Sequence, residues 1–267
     1  MSTVRLETIR PGVALLTLDR PDRLNAMSME LVSDLHARLD EIAADQACRV
    51  VVLTGAGRGF CAGLDLKEVP SAPGSAGMGR TQAGMATQQF IASLIPRMRA
   101  LRQPIIAAVN GAAAGGGLAL ALGSDVRIAG ASARFNVAFI RVGLSGCDIG
   151  VSWLLPRLVG ASRAHELMLT GRIIDADEAE RIGLVVRVVP DEELLDAALE
   201  TAGQIAANSP FGVWMTKEVM WSNLETGSLQ AGIDLENRTQ VLASTTGDMT
   251  EALAAFLEKR PPDFSNS

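Results

Sequence analysis

The chain has 267 residues, 48% of them apolar, and a formal net charge of −6 at pH 7. That is ample apolar material for a sizeable core, and the acidic balance, with no basic run interleaved with aromatics, excludes a nucleic-acid backbone as partner. The cysteines Cys48, Cys61 and Cys147 are odd in number and widely spaced, without CxxC pairs or companion histidines; this excludes a disulfide framework and a zinc site and points to core thiols in a reducing compartment.

The first twenty or so residues carry no apolar signal core, and no segment is long and uncharged enough to span a bilayer. A cytoplasmic location without membrane contact is expected. Residues 4–9 and 13–18 alternate around Pro11-Gly12 and predict a hairpin. Asp19-Arg20-Pro21-Asp22 breaks the pattern, and a helix is expected from Ser28, with Leu31, Leu35, Leu39 and Ile42 on one face. Residues 49–54, RVVVLT, form a β-branched run of the kind covered on both faces. The next six, Gly55 to Phe60, approximate a dinucleotide fingerprint, but Phe60 stands where its last glycine belongs, so that reading fails.

Residues 68–82, rich in Pro, Gly, Ser and Ala, predict a mobile surface loop, either a substrate lid or a tolerated insertion. Residues 90–101 read as helix, kinked or bounded at Pro96. A buried strand is expected at 105–109. Beyond it, Gly115-Gly116-Gly117 runs into Leu118-Ala119-Leu120-Ala121-Leu122, a good helix former. Short strands at 126–129 and 133–139, helices at 148–159 and 161–169, and a last strand at 185–189 follow. From Asp191 the pattern is helical, over 192–207, 210–223, 229–244 and 250–259, the last helix capped by Asp248 with Glu251. His36 and His165 read as structural. Trp214 and Trp221, seven residues apart, mark a core or subunit-interface face. The chain therefore divides into an α/β core, 1–195, and an all-helical C-terminal region, 196–267, expected to pack on a neighbouring subunit as well as on its own core.

The glycine run is the place to look for chemistry. A strand entering a glycine turn at a helix start presents unpaired N–H groups and the positive end of the helix dipole. Gly117 is followed by Leu118, not Lys-Ser/Thr, which rules out a phosphate-binding Walker loop. Three consecutive glycines cost backbone entropy, and close approach of a ligand to bare backbone is the expected reason, with tight packing of the helix on the sheet as the alternative. The turn at 60–66, Phe60-Cys61-Ala62-Gly63-Leu64-Asp65-Leu66, also follows a buried strand. If the two strands are neighbours, one N–H from each turn can converge on a single oxygen, as in an oxyanion hole.

With these residues in view, the chain resembles the crotonase (enoyl-CoA hydratase/isomerase) superfamily over nearly its whole length. The matching landmarks are Asp19-Arg20-Pro21 with Leu24-Asn25-Ala26, Val52-Leu53-Thr54-Gly55 with the 60–66 turn, and Pro104 through Gly117 with Asp125. Leu169-Thr170-Gly171-Arg172 and Phe256-Leu257-Glu258-Lys259-Arg260 complete the set. The resemblance implies a crotonase-like α/β spiral of ββα repeats, a homotrimer or dimer of trimers, and an acyl-CoA or enoyl-CoA thioester as substrate. No separate cofactor or metal is implied, coenzyme A being part of the substrate. It places the thioester-holding N–H groups on Leu64 and Gly116. Arg23, Leu24, Ala26, Ala62, Asp65, Leu66, Lys67, Gly115, Phe139 and Leu144 fall in substrate-binding segments, with Phe256 and Lys259 reaching the CoA of an adjacent subunit.

The pattern breaks at the acid and base. Hydratases of this family carry two glutamates, and Ala119 and Phe139 occupy those places. Between Glu68 and Glu166 the carboxylates are Asp125 and Asp148. Asp125 matches a structural position, so Asp148 becomes the candidate acid/base, with an N-cap as its structural alternative. A similar aspartate is the nucleophile in the 4-chlorobenzoyl-CoA dehalogenase branch, but the histidine base of that branch is absent, Pro96 lying near its place. The expected activity is of enoyl-CoA hydratase type. The alternatives are an enoyl-CoA isomerase or acyl-CoA hydrolase using Asp148, or a non-catalytic acyl-CoA-binding subunit.

Overall fold

Apolar runs and their breakers set the element order in the computed structural model, which describes residues 2–68 and 71–265. β1 (Val4–Arg10) and β2 (Val13–Leu18) pair antiparallel around Gly12. The Ser28 hydroxyl caps α1 (Met29–Ala44) by accepting from the Leu31 N–H. Both agree with the sequence reading.

Among the described residues, three strand–strand–helix units follow. β3 (Val50–Gly55) and β4 (Gly59–Cys61) precede α2 (Arg80–Ala92) and α3 (Leu94–Ala100). β5 (Ile105–Val109) and β6 (Ala112–Ala114) lead into α4 (Gly116–Gly123). β7 (Val126–Gly130) and β8 (Arg134–Asn136) lead into α5 (Val151–Val159) and α6 (Ala161–Thr170). The first strand of each unit joins one sheet in parallel order β3-β5-β7, and the second joins another in order β4-β6-β8. Each unit thus stacks on its predecessor, forming the expected ββα spiral. β9 (Ile174–Asp175) pairs antiparallel with β8, α7 (Ala176–Arg181) follows, and β10 (Arg187–Val189) pairs parallel with β7. Four helices complete the chain: α8 (Leu194–Ala206), α9 (Pro210–Asn223), α10 (Leu229–Ser244) and α11 (Gly247–Glu258).

The first sheet is buried on both faces, which is why its strands read as continuous apolar runs. Val51, Leu53, Ile105, Ala107 and Val109 face the cluster built with α1, α3 and α4. Their alternates Val50, Val52, Ile106 and Ala108 pack with Leu194, Ala198, Leu199 and Ala202 of α8. The division at residue 195 falls inside α8, which is a covering helix of this sheet.

Several boundaries differ from expectation for local reasons. The helix break lies at Ser93, not Pro96, because Pro96 sits in the first turn of α3, where a missing N–H costs nothing. Of the loop expected at 68–82, Val69 and Pro70 lie outside the described residues. The rest ends at Gly79, and its Ala72 N–H donates to Thr87 Oγ1 on α2 at 3.0 Å. The last helix is capped by Thr246, which accepts from Met249 N–H, not by Asp248 with Glu251. Asp248 is buried and accepts from Ser209 Oγ, while Glu251 pairs with Arg260. The 133–139 strand shortens to β8, followed by a 3₁₀ turn at Ala138–Val142. Cys61 is buried and Cys48 half-buried, burial pushing their thiols up to about 12 and about 11, but Cys147 is exposed, against the expectation of a core thiol. His36 is buried with Nε2 at 3.0 Å from the Phe90 carbonyl, and His165 Nδ1 lies against the Ala161 carbonyl of its own helix.

α9 is fastened to the spiral by a buried charge cluster. Lys217 Nζ donates to Asp125 Oδ2 at 3.0 Å and to the Met98 and Gln103 carbonyls at 3.1 and 3.0 Å. Asp125 also accepts from Trp221 Nε1 at 2.8 Å and from the Ile105 N–H at 2.7 Å. Removing one partner of a buried pair leaves the other charge uncompensated. Lys217→Ala should therefore cost about 3 to 5 kcal/mol in urea-unfolding stability; a loss below about 1 kcal/mol would mean the pair does not anchor α9.

Candidate functional site

The site is assembled from three turns. The first, after β2, is a 3₁₀ turn at Pro21–Arg23 followed by Leu24 and Asn25, both with positive φ, 50° and 56°. Asn25 is fully buried, donates to the Ala56 and Gly59 carbonyls at 3.0 and 2.7 Å, and accepts from the Arg20 N–H at 2.8 Å. That fixes the turn against the end of β3.

The second turn is 61–66, zipped to the first by backbone bonds. Ala62 N–H donates to Leu24 O, Met27 N–H to Gly63 O and Asp65 N–H to Met27 O, at 3.0, 2.7 and 3.1 Å. Met27 and Leu64 thereby form a parallel bridge. In such a bridge the residues flanking Leu64 make the bonds, so its own N–H is directed away from Met27. Among the described residues that N–H has no protein acceptor. Arg20 braces the pair of turns, donating to the Ala26 carbonyl and, at 3.0 Å, to Asp65. Burial works against the Asp65 carboxylate, but the Lys67 N–H and Arg20 outweigh it and hold Asp65 below the usual range.

The third turn joins β6 to α4. Gly115 takes φ +52° and ψ −114°, a conformation closed to other residues, and its N–H donates to Asn136 O at 3.1 Å. Gly116 opens α4, so its N–H is one of the unpaired donors of a helix start. A Cβ on Gly63 would lie 2.8 Å from Ala114 O and 3.5 Å from Gly116 N, so the second and third turns are in van der Waals contact. Of the three glycines, Gly117 is required by the protein's own backbone, while Gly115 and Gly116 meet side chains. A Cβ on Gly115 would stand 3.3 Å from the Phe139 ring, one on Gly116 2.7 Å from Met27 Sδ, and one on Gly117 would fall on the Cys61 carbonyl. Tight packing of α4 on this turn brings the Gly116 N–H beside Gly63.

Around these donors the walls are Met27, Phe139, Ala138 and Ile149, all near the glycines. Ala119 is fully buried one turn into α4, and Phe139 is 7% exposed. Asp148 precedes Ile149, whose Cδ1 lies 3.5 Å from the Gly116 Cβ position. Asp148 does not cap a helix: Ile149 and Gly150 take φ of 46° and 79°, the Val151 N–H donates to Asp148 O at 2.8 Å, and α5 starts only at Val151. Positive φ at both central residues is a turn suited to Asn and Gly, and a β-branched residue there stores about 1 to 3 kcal/mol of strain. Half-burial raises the Asp148 carboxyl, against hydrogen bonds from Ile149 N–H and Gln88 that lower it.

The remaining expected residues are more scattered. Arg23, Leu66 and Lys67 are exposed beside the first two turns. Leu144 is 54% exposed, and its N–H donates to Phe139 O. Phe256 and Lys259 lie at the end of α11. Sequence reasoning missed Met27, Ile149 and Gln88. Only the Met27 position had a signal, its place directly after the Leu24-Asn25-Ala26 landmark. A cavity of about 750 Å³ lies between α9 and the starts of β5 and β7, away from these turns, which follow strand ends. Among the described residues no cluster of His, Cys, Asp and Glu suits a metal ion, and no helix is long and apolar enough to cross a membrane.

Comparison with known proteins agrees with this architecture. The enoyl-CoA hydratase/isomerase family profile matches residues 8–267. A probable enoyl-CoA hydratase of Mycobacterium tuberculosis is 45% identical over 100% of this chain and 94% of its own length. The 1,2-epoxyphenylacetyl-CoA isomerase of Escherichia coli is 41% identical over 97% of each chain. The crystal structure of a probable enoyl-CoA hydratase/isomerase from Mycobacterium abscessus superposes with a TM-score of 0.93 at 42% identity, covering 100% of both chains. The chain belongs to the enoyl-CoA hydratase/isomerase family.

Proposed function

We propose that this chain binds an enoyl-CoA thioester, holds its carbonyl oxygen between the N–H groups of Leu64 and Gly116, and isomerises the double bond with Asp148 as the single proton carrier. The observation that carries the reading is the supply of carboxylates. Ala119 and Phe139 are apolar, Asp65 and Glu68 are paired with Arg20, and Asp125 is bound to Lys217 at the start of β5. Among the described residues flanking the turn, Asp148 is left to move a proton.

One carboxylate suffices for isomerisation. With a 3-enoyl thioester, Asp148 takes a proton from C2 and the C–H electron pair flows into the carbonyl, giving a dienolate. The negative charge rests on the oxygen facing Leu64 and Gly116, where one preorganised donor is worth roughly 10² to 10³ in rate. The carboxylic acid then returns the proton to C4, and the double bond ends between C2 and C3. No water is consumed. Hydration, the second reading, is favoured by the 45% identical relative described as a probable enoyl-CoA hydratase; it must both activate water and protonate C2, two tasks that Asp148 would carry alone.

The test is turnover of 3-enoyl-CoA, read as gain of conjugated enoyl thioester absorbance, beside loss of that absorbance from crotonyl-CoA. Isomerisation should exceed hydration, and Asp148→Asn should lower it by roughly 10² to 10⁴. The base must be ionised to begin. Because burial raises the Asp148 carboxyl above its ordinary 3.8, activity should fall on acidification at a pH above the usual carboxylate range, and the Asp148→Asn remnant should lack that limb. Full activity in Asp148→Asn would refute the assignment.

Gly116→Pro tests the oxyanion donor against Gly116→Ala: both place a Cβ against Met27 Sδ, but only Pro, which a helix tolerates at its first position, loses the N–H. Isomerisation by the Pro variant should fall roughly 10² or more below that of the Ala variant, with helical circular dichroism retained; equal turnover would sink the role of Gly116. The C-terminal helices expose Leu253, Phe256 and Leu257 at 54%, 79% and 71%, which supports burial against a neighbouring subunit. Light scattering should then give three or six times the chain mass, and a monomer would contradict the assembly and the reach of Phe256 and Lys259 toward an adjacent CoA.

A further inference from the structure

The two oxygens of Asp148 are not equivalent. Oδ1 accepts from the Ile149 N–H at 2.8 Å and from Gln88 Nε2. Oδ2 has no partner among the described residues. Ile149 directly follows Asp148 in the chain, so one donor is built into the turn. The other comes from α2, sixty residues away in sequence. That helix rests lightly on the core, burying only Thr87 and Ile91.

We propose that Gln88 is a positioning residue for Asp148: its amide holds Oδ1 as the fixed oxygen and leaves Oδ2 as the one that carries the proton. The proposal rests on the reading of Asp148 as proton carrier. The choice of residue type fits the task. A cation in the place of Gln88 would hold the carboxyl far down and take away its basicity, and a second carboxylate would push it up. A neutral amide orients the group with a modest downward pull. Among the described residues no charged side chain pairs with it. Besides burial, the influences on Asp148 are the two neutral donors, Ile149 N–H and Gln88, and its chain neighbour Cys147 is exposed. A proton-transfer group also gains from a single orientation, since its working oxygen must meet both carbons between which the proton moves.

The experiment is the pH dependence of kcat for 3-enoyl-CoA isomerisation in the full-length protein, for Gln88→Leu and Gln88→Glu beside wild type and Asp148→Asn. Loss of the amide donor should lower kcat about tenfold, the size of one hydrogen bond to a charged group, with little change in KM. It should also move the acid limb to higher pH, and Gln88→Glu, by adding like charge, should move it further. A structural role of Gln88 would lower stability or kcat without moving the limb. A limb at the wild-type position in both variants overturns the proposal. If Asp148→Asn is inactive while the Gln88 variants keep the wild-type limb, positioning alone fails. If Asp148→Asn keeps full activity, the proton-carrier reading fails first and the positioning role with it. A carbon-13 carboxyl titration of Asp148 in the substrate-free protein, assigned by its loss in Asp148→Asn, decides the matter without turnover. The resonance should titrate at higher pH in Gln88→Leu than in wild type, and an unshifted midpoint refutes the role.

Discussion

Everything at this site depends on the backbone zipper between residues 24–27 and 62–65. Because Gly63 O, Met27 O and Leu24 O are each used in that short ladder, the Leu64 N–H is turned outward. Because Gly117 packs on the Cys61 carbonyl, the start of α4 is pressed against the same turn. In the proposed site the Leu64 and Gly116 N–H groups are the two donors, held by backbone packing alone. Such donors are fixed by the fold before a ligand arrives, so they need no reorganisation as charge develops. The buried Asn25 and the Arg20–Asp65 pair lock the outer turn from behind.

The proposed proton carrier is held by a different kind of constraint. Asp148 sits in a turn whose central residues are left-handed, one of them the β-branched Ile149. That conformation is unfavourable and persists because Ile149 is buried against the α4 start. In the same turn the Ile149 N–H donates to Oδ1. Half-burial keeps the carboxyl basic, and two neutral donors keep it oriented. Meanwhile Asp125, the other carboxylate of the 69–165 stretch, is spent on fastening α9 through Lys217 and Trp221.

Much of this was legible in the sequence. The β-branched runs of β3, β5 and β7 announced a sheet covered on both faces, because burial on both sides removes the polar alternates. The Ser28 cap and the leucine stripe of α1 announced that helix. The two turns were legible as neighbours because both follow strands that prove adjacent and parallel. What stayed hidden was set by tertiary contact. β4, β6, β8 and β9 are two or three residues long, too short for any periodicity. The left-handed Ile149 contradicts its residue type, so 148–159 read as one helix with Asp148 at its start. Gln88 lies in a stretch of α2 with no distinguishing pattern, and only the folded chain brings it to Asp148. Of the two readings of the three glycines, ligand approach and tight helix packing, packing accounts for Gly117 against the Cys61 carbonyl.

The measurement closest to the central claim is isomerisation of a 3-enoyl-CoA in deuterated water, followed by proton NMR of the product. A single carboxylate carrying one proton from C2 to C4 predicts 2-enoyl-CoA as the product. It also predicts a measurable share of the original hydrogen at C4, both lost in Asp148→Asn. Accumulation of a 3-hydroxyacyl-CoA with deuterium at C2 would contradict the account, because it would mean that water, and not the proton held by Asp148, is what this site delivers.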